Sequence, residues 1–436
     1  MNGDFVGTWS LHPTQGDTLQ YDLGWVQSGN GRPISLSLDF RPANRPHHGP
    51  TVRSYFDNLL PDSQEIRDRI ARRYRIGTSD AFELLAQIGR DCVGALQILP
   101  EGEAPTNVRT TDATPLTESE VATWLRAAIA PAFPASGEDD DDFRISIAGA
   151  QEKAALLYFE GQWCRPHGAT PTTHILKLPM GLVGNMRLDL QESVENEWLC
   201  SKIVRAYGLP VANCEPLVFE DIKVLAVERF DRIWTSTQSE PWLLRVPQED
   251  MCQATGTPPI LKYESDGGPG MDRLMHLLEA STEAARDRRM FFQAQLIFWM
   301  LCATDGHAKN FSLFLLPGGG YELTPLYDVL SAYPFLGEGP GKLSPFRARM
   351  AMAVRSKNAH WKMRDILPRH WLAAGERWFD VSTLEGTDAK SVIDDLVART
   401  PGVVQTVRES LPPGFPESLA ESVFQGLMRA AERLAD

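Results

Sequence analysis

Residues 304–315 read TDGHAKNFSLFL, and the fold can be worked outward from them. An apolar run at 291–302, long enough for a helix, comes just before. After it, the apolar run 311–316, PGGG (317–320) and YELTPLYD (321–328) predict a hairpin set in a helical region. Asp305, His307, Lys309 and Asn310 therefore fall on a loop between rigid elements, where catalytic side chains concentrate. Asp305 and Asn310 have the spacing of the Asp and Asn in the protein-kinase catalytic loop H-R-D-x-x-x-x-N. In phosphoryl transfer such an Asp accepts the proton of the attacking hydroxyl, and such an Asn offers an oxygen to magnesium. Asp328, beyond the hairpin in PLYDVLS, stands where a second magnesium-binding carboxylate is needed.

The same chemistry asks for a cation upstream. HILKLP (174–179) puts Lys177 on an otherwise apolar strand, where an unpaired ammonium would be costly. Glu197 lies two turns into the next amphipathic helix and is the expected partner, with Glu195 the competitor on another face. Asp189 is expected to cap that helix with Glu192 at its third position. Val194, Trp198, Leu199 and Ile203 repeat at helical spacing, and Gly208 stops it. Between the predicted strands RISI (144–147) and KAALLYF (153–159) lies AGAQEK (148–153). It fails the G-x-G-x-x-G test, but Ala148, Gly149 and Ala150 are small enough for backbone amides to approach phosphates. Ser146 comes just before them.

Around this centre the chain reads as α+β. In residues 1–100, short alternating segments at 35–40 and 94–99 accompany two helices, 62–74 and 80–89, each opening on an Asp able to cap. Arg67, Arg69, Arg72, Arg73 and Arg75 read as a solvated helix face in preference to a phosphate-binding patch. Exposed linkers are expected at 101–116 and at 131–142, the second ending in EDDDD. Between them 117–130 is a helix with Thr117 and Glu120 as its capping box. Strands dominate 143–230 and helices the region after 245, with a Pro-rich interruption at 412–416. The expected divisions are 1–112, 140–245 and 246–436.

At 436 residues the chain exceeds one compact core, and 43 basic against 57 acidic residues leave a charge of -14. So acidic a surface is repelled by phosphate backbones, which argues against binding nucleic acid alone. The six cysteines are scattered without a C-x-x-C pair, as expected of reduced thiols in a cytoplasmic protein. The start MNGDFVGTW lacks a signal peptide's basic flank and apolar core. The greasiest stretch, 290–304, falls short of the roughly 20 residues of a membrane span.

Nine blocks in order, FDNLLPDS (56–63), IGRDCVGA (88–95), DFRISIAGAQEK (142–153), PTTHILKLP (171–179), LAVERFDR (225–232), QEDMCQATG (248–256), KYESDGGPG (262–270), ATDGHAKNFS (303–312) and LTPLYDVLSAYP (323–334), span nearly the whole chain. They resemble the HipA family, serine/threonine kinase toxins of bacterial type II toxin-antitoxin modules. The resemblance implies a bilobal, protein-kinase-like fold with an extra N-terminal subdomain, and ATP and Mg2+ as cofactors. It implies Asp305 as catalytic base and Asn310 and Asp328 as magnesium ligands. Lys177 would bind the nucleotide phosphates, and Ala148, Gly149, Ala150, Gln151, Glu152 and Lys153 would form the loop over them. Glu228, Arg229 and Phe230 would hold the adenine edge, His307 and Tyr327 would line the site, and Ser146 would be the autoinhibitory phosphorylation site. The implied partners are a HipB-like helix-turn-helix antitoxin, operator DNA through it, and glutamyl-tRNA synthetase as protein substrate. There is no H-R-D and no D-F-G in the chain. A small-molecule kinase and a catalytically silent corepressor stay open at this point, although the intact Lys177, Asp305, Asn310 and Asp328 set argues against the second.

Overall fold

A computed structural model describes residues 1–14, 16–129, 151–183, 188–237, 240–379 and 388–436. The chain divides into two compact units, one of Met1–Leu178, Leu217–Ile260 and Ser312–Tyr321, the other of Pro179–Pro216, Leu261–Phe311 and Glu322–Asp436. Boundaries expected near 112 and 245 do not coincide with this division, because strand pairing and not chain order decides it. Ser312–Leu315, from the helical half of the sequence, pairs antiparallel with Gln248–Asp250 and so joins the first unit.

In the first unit, Gly7–His12 and Gly16–Tyr21 form an antiparallel hairpin. Helices Pro50–Asp57, Gln64–Arg73 and Ala81–Ile88 accompany it, and Leu19, Tyr21, Trp25, Leu38, Phe56, Leu84 and Leu85 share one apolar core. The segments 35–40 and 94–99 are not strands. In the first, Ser35 and Ser37 hydroxyls bond each other at 2.8 Å and both donate to the Gln253 carbonyl, while Leu36 N donates to the buried Glu249 carboxylate at 2.8 Å. Side-chain bonds there replace the ladder that the alternation suggested. Asp80 caps its helix as expected, accepting from Phe82 N, but Ser63 and not Asp62 caps the preceding one. The arginine face of that helix is only partly solvated, since Arg67 is buried on Asp57 at 2.6 Å and Arg69 pairs with Glu152.

A six-stranded sheet completes this unit, in the order Cys214–Phe219, Ile222–Glu228, His174–Lys177, Lys153–Phe159, Gln162–Pro166, Ala113–Pro115. Its last strand lies inside the first expected linker. Ala154, Leu156, Leu176, Leu178, Val224 and Ala226 face helix Glu118–Ile129. The helix opens on the anticipated capping box, with Glu120 N donating to Thr117 Oγ1 and Thr117 N to Glu120 Oε2. The expected linker 131–142 and strand 144–147 lie outside the described residues.

The second unit is mainly helical, with Ala284–Met300, Pro368–Trp378, Ala389–Glu409 and Glu417–Ala435 as its longer helices besides Ser193–Ala206. Phe291, Phe292, Leu296, Trp371, Leu396, Val423 and Leu427 are all buried in it. Ser193–Ala206 begins later than expected, because Asp189 belongs to the short strand Leu188–Leu190 and accepts from Gln191 N instead of capping. It ends as expected. Gly208 (φ +86) takes the left-handed conformation while its N–H and that of Leu209 return to the carbonyls of Arg205 and Val204. The hairpin Arg349–Arg355 with Ala359–Lys362 was not anticipated. All six cysteines are free and buried, and no helix of the described residues is long and apolar enough to cross a membrane.

Candidate active site

The loop carrying Asp305 is set by how its helix ends. Helix Ala284–Met300 closes with Cys302 in the left-handed region (φ 51), Cys302 N bonding Trp299 O and Ala303 N bonding Phe298 O at 2.8 Å. The chain then folds back so closely that a Cβ on Gly306 would lie 2.4 Å from the Phe298 ring, so glycine is required there. The Asp305 side chain is left 58% exposed. Its backbone carbonyl accepts from Asn310 Nδ2 and His307 N, each at 2.8 Å. Asn310 is buried, its amide nitrogen is committed to this bond, and its Oδ1 is the atom left for a cation. Tyr263, in KYESDGGPG, donates from its phenol to Asp305 Oδ1.

Asp328 has φ 60, a conformation that costs most residues free energy but that Asp tolerates better than others. Its surroundings hold it there. Tyr327 OH donates to the Lys309 carbonyl at 2.9 Å, so the neighbour of Asp328 is bonded to the neighbour of Asn310. Three residues on, Ser331 exchanges two hydrogen bonds with the Asn196 side chain and donates from Oγ to Leu301 O at 2.6 Å. Two loops far apart in sequence are thereby fixed together within the second unit, one bearing Asp305 and Asn310, the other Asp328. Glu195 and Glu197 are both buried in helix Ser193–Ala206 of this unit.

In the first unit, Lys177 and Lys153 face each other directly across an antiparallel pair, on the side of the sheet opposite helix Glu118–Ile129. Like charges so placed repel, and an anion beside them relieves the repulsion. Lys177 is buried. The chain entering Lys153 is tied to the end of the Lys177 strand, with Gln151 Nε2 donating to Leu178 O at 2.5 Å and Leu178 N to Glu152 O at 3.1 Å. Arg69 holds the Glu152 carboxylate. Ser146, Ala148, Gly149 and Ala150 lie outside the described residues.

The strand Ile222–Glu228 ends on an exposed Glu228, and Phe230 packs edge-on against Phe314 with ring centroids 5.8 Å apart. The alternate residues turn inward. Arg229, Arg232 and Arg245 surround Asp91 and Asp231, all with side chains at most 3% exposed. Arg229 donates to both oxygens of Asp231 at 3.0 Å and to the Cys92 carbonyl at 2.9 Å. Asp91 accepts from Arg229, Arg232, and the N–H and hydroxyl of Thr172. Burial alone would raise both carboxyls, but the guanidiniums reverse this, holding Asp231 down at about 2 and Asp91 well below the usual carboxylate range. The Arg229 guanidinium is therefore bound inside the unit and does not face a ligand, unlike what the resemblance implied. Its part is to fix Glu228 and Phe230 on either side. Sequence reading missed Tyr263, Asp91, Arg232 and Arg245, although three of them stand in blocks it quoted and only Arg245 does not.

The comparisons meet this geometry. The description HipA N-terminal domain matches residues 1–99, and HipA-like C-terminal domain matches 145–404. This chain belongs to the HipA family. A putative kinase, Y4mE of Sinorhizobium fredii, is 35% identical over 77% of each chain. The serine/threonine-protein kinase toxin HipA of Shewanella oneidensis is 27% identical over 77% of this chain and 73% of its own. The solved Shewanella oneidensis complex of HipA, HipB and operator DNA matches with TM-score 0.76 at 25% identity, covering 100% of this chain and 96% of that one. The α+β architecture is thus the HipA kinase fold. In HipA-family terms, the buried charge network joins the N-terminal domain, through Asp91, to the C-terminal domain, through Arg229, Asp231, Arg232 and Arg245.

Proposed function

We propose that this chain is the toxin of a type II toxin-antitoxin module and acts as an ATP- and Mg2+-dependent serine/threonine protein kinase. The observation that carries the reading is the exposed Asp305 carboxylate, anchored through its own carbonyl to Asn310 and bonded loop to loop with the Asp328 segment. Asp305 takes the proton of the attacking hydroxyl. The Asn310 amide oxygen and the Asp328 carboxylate suit magnesium, which accepts a few protein oxygens and fills its shell with water and phosphate. Bound there, the ion would neutralise charge on the transferring phosphoryl group. Lys177 and Lys153 hold the nucleotide phosphates beneath the segment 148–153. Glu228 and Phe230 hold the adenine edge, His307 and Tyr327 line the site, and Glu197 is the ion-pair partner of Lys177.

The kinship supports glutamyl-tRNA synthetase as the substrate and a HipB-like dimeric antitoxin as the partner, through which the chain corepresses its operon on operator DNA. With a charge of -14, the isolated chain is expected to bind duplex DNA weakly and only at low salt, tight binding appearing when a basic partner is added. A salt titration of operator binding measures this. Nanomolar, sequence-specific binding by the chain alone at physiological salt would refute it.

Ser146 is the proposed autophosphorylation site. A phosphate there adds about -1.5 to -2 charges next to a segment that must accommodate the nucleotide's own phosphates, following the acidic run 138–142. Repulsion then opposes ATP binding and switches the kinase off. Incubating pure protein with ATP and magnesium and mapping phosphopeptides by mass spectrometry tests the kinase and the switch together. One phosphate on Ser146 and poor ATP affinity of the modified form are expected. A phosphopeptide mapping elsewhere, or full ATP affinity after modification, removes the switch.

A further inference from the structure

Tyr263 has no role in the reading above, yet the loop that carries it is built to place it. Gly268 N donates to the Tyr263 carbonyl at 3.0 Å, and a Cβ on Gly268 would lie 1.9 Å from Leu261 O, so the loop closes tightly on itself. A Cβ on Gly270 would come within 2.4 Å of the Glu264 carboxyl carbon. Glu264, the next residue after Tyr263, is clamped to strand Arg349–Arg355, accepting from Ala353 N at 2.5 Å and from the Arg355 guanidinium. From this anchored position the phenol donates to Asp305 Oδ1. The ring meets His307 edge-on with centroids 5.0 Å apart, and His307 Nε2 stands 3.8 Å from the same Oδ1. Tyr263, His307 and Asp305 all belong to the second unit.

We propose that Tyr263 is a catalytic residue, whose phenol fixes the Asp305 carboxylate by one oxygen so that the other, Oδ2, faces the hydroxyl to be phosphorylated. The inference rests on the phosphotransfer reading. In the step, the hydroxyl oxygen bonds to the γ-phosphorus and the bond from that phosphorus to the bridging oxygen breaks. ADP leaves with the bridging oxygen, and the hydroxyl proton passes to Oδ2. The phenol keeps its own proton throughout. An exposed carboxylate without this bond samples several rotamers, and misorientation of a proton acceptor lowers the rate of the chemical step without touching nucleotide binding.

The test compares wild type with Tyr263→Phe, which keeps the ring and its packing on His307. Label transfer from γ-labelled ATP to the protein itself is followed over a range of ATP concentrations. The expected result is a roughly 10- to 100-fold slower transfer at saturating ATP, with the half-saturating ATP concentration and the melting temperature unchanged. A purely structural role would move the last two and not the first alone. An unchanged rate overturns the proposal. So does a faster one, which a phenol merely standing in the substrate's place would give. No transfer by wild type would remove the phosphotransfer reading, and this inference with it.

Discussion

Asp305→Gln is expected to abolish detectable kinase activity while leaving a folded protein. General-base catalysis contributes roughly 10²–10⁴-fold, and an amide of similar size cannot accept the proton. The fold should survive, because the interactions that shape the loop, from Asn310 Nδ2 and His307 N, go to the Asp305 backbone carbonyl and not to the side chain. Asp328→Asn is expected to lose activity as well, through the cation, and Asn tolerates the left-handed φ that Asp328 occupies. Circular dichroism and melting curves beside the transfer assay separate lost chemistry from lost structure. Transfer at wild-type rates in either variant would remove the assigned role.

Asp91→Ala should have the largest effect on stability. It leaves three buried arginines around the single carboxylate of Asp231 and takes the acceptor from the Thr172 N–H and hydroxyl. Breaking a buried ion network by removing one partner costs about 3–5 kcal/mol, which for a unit of this size is a fall of roughly 10 °C in melting temperature. The pH dependence has a definite sign. Asp91 and Asp231 have lowered values in the folded state, so their stabilisation is complete above the unfolded carboxylate value near 4. It is lost as pH falls, for Asp231 through about 2. Asp91→Ala should therefore flatten the acid arm of the stability curve relative to wild type. An unshifted melting temperature together with an unchanged acid arm would contradict the network's role.

The chemistry was more legible in the sequence than the architecture that supports it. Asp305, Asn310 and Asp328 could be found because loop position and spacing are local properties, and the structure brings their two loops together. The Thr117 capping box and the Gly208 stop were legible for the same reason. Asp189 misled, because an Asp near a helix start serves equally well in a short strand with a turn. The alternation at 35–40 misled too, since its serines found hydroxyl and carbonyl partners in place of a neighbouring strand. Nothing local marks Asp91, Arg232 and Arg245 as interior. Charged residues read as surface until tertiary contact pairs them, and the partners here come from distant segments. The facing of Lys153 and Lys177 depends on strand register, and the reach of Tyr263 to Asp305 on a loop fold that two glycines permit. Neither has a periodic signal.

The most direct test of the central claim is transfer of the γ-phosphate of labelled ATP by the pure wild-type protein, with magnesium and with the metal chelated. Protein-bound label that appears with magnesium, disappears on chelation and is absent in Asp305→Gln is the predicted result. A folded wild-type protein that incorporates no label with ATP and magnesium, or incorporates it equally in Asp305→Gln, would contradict the account.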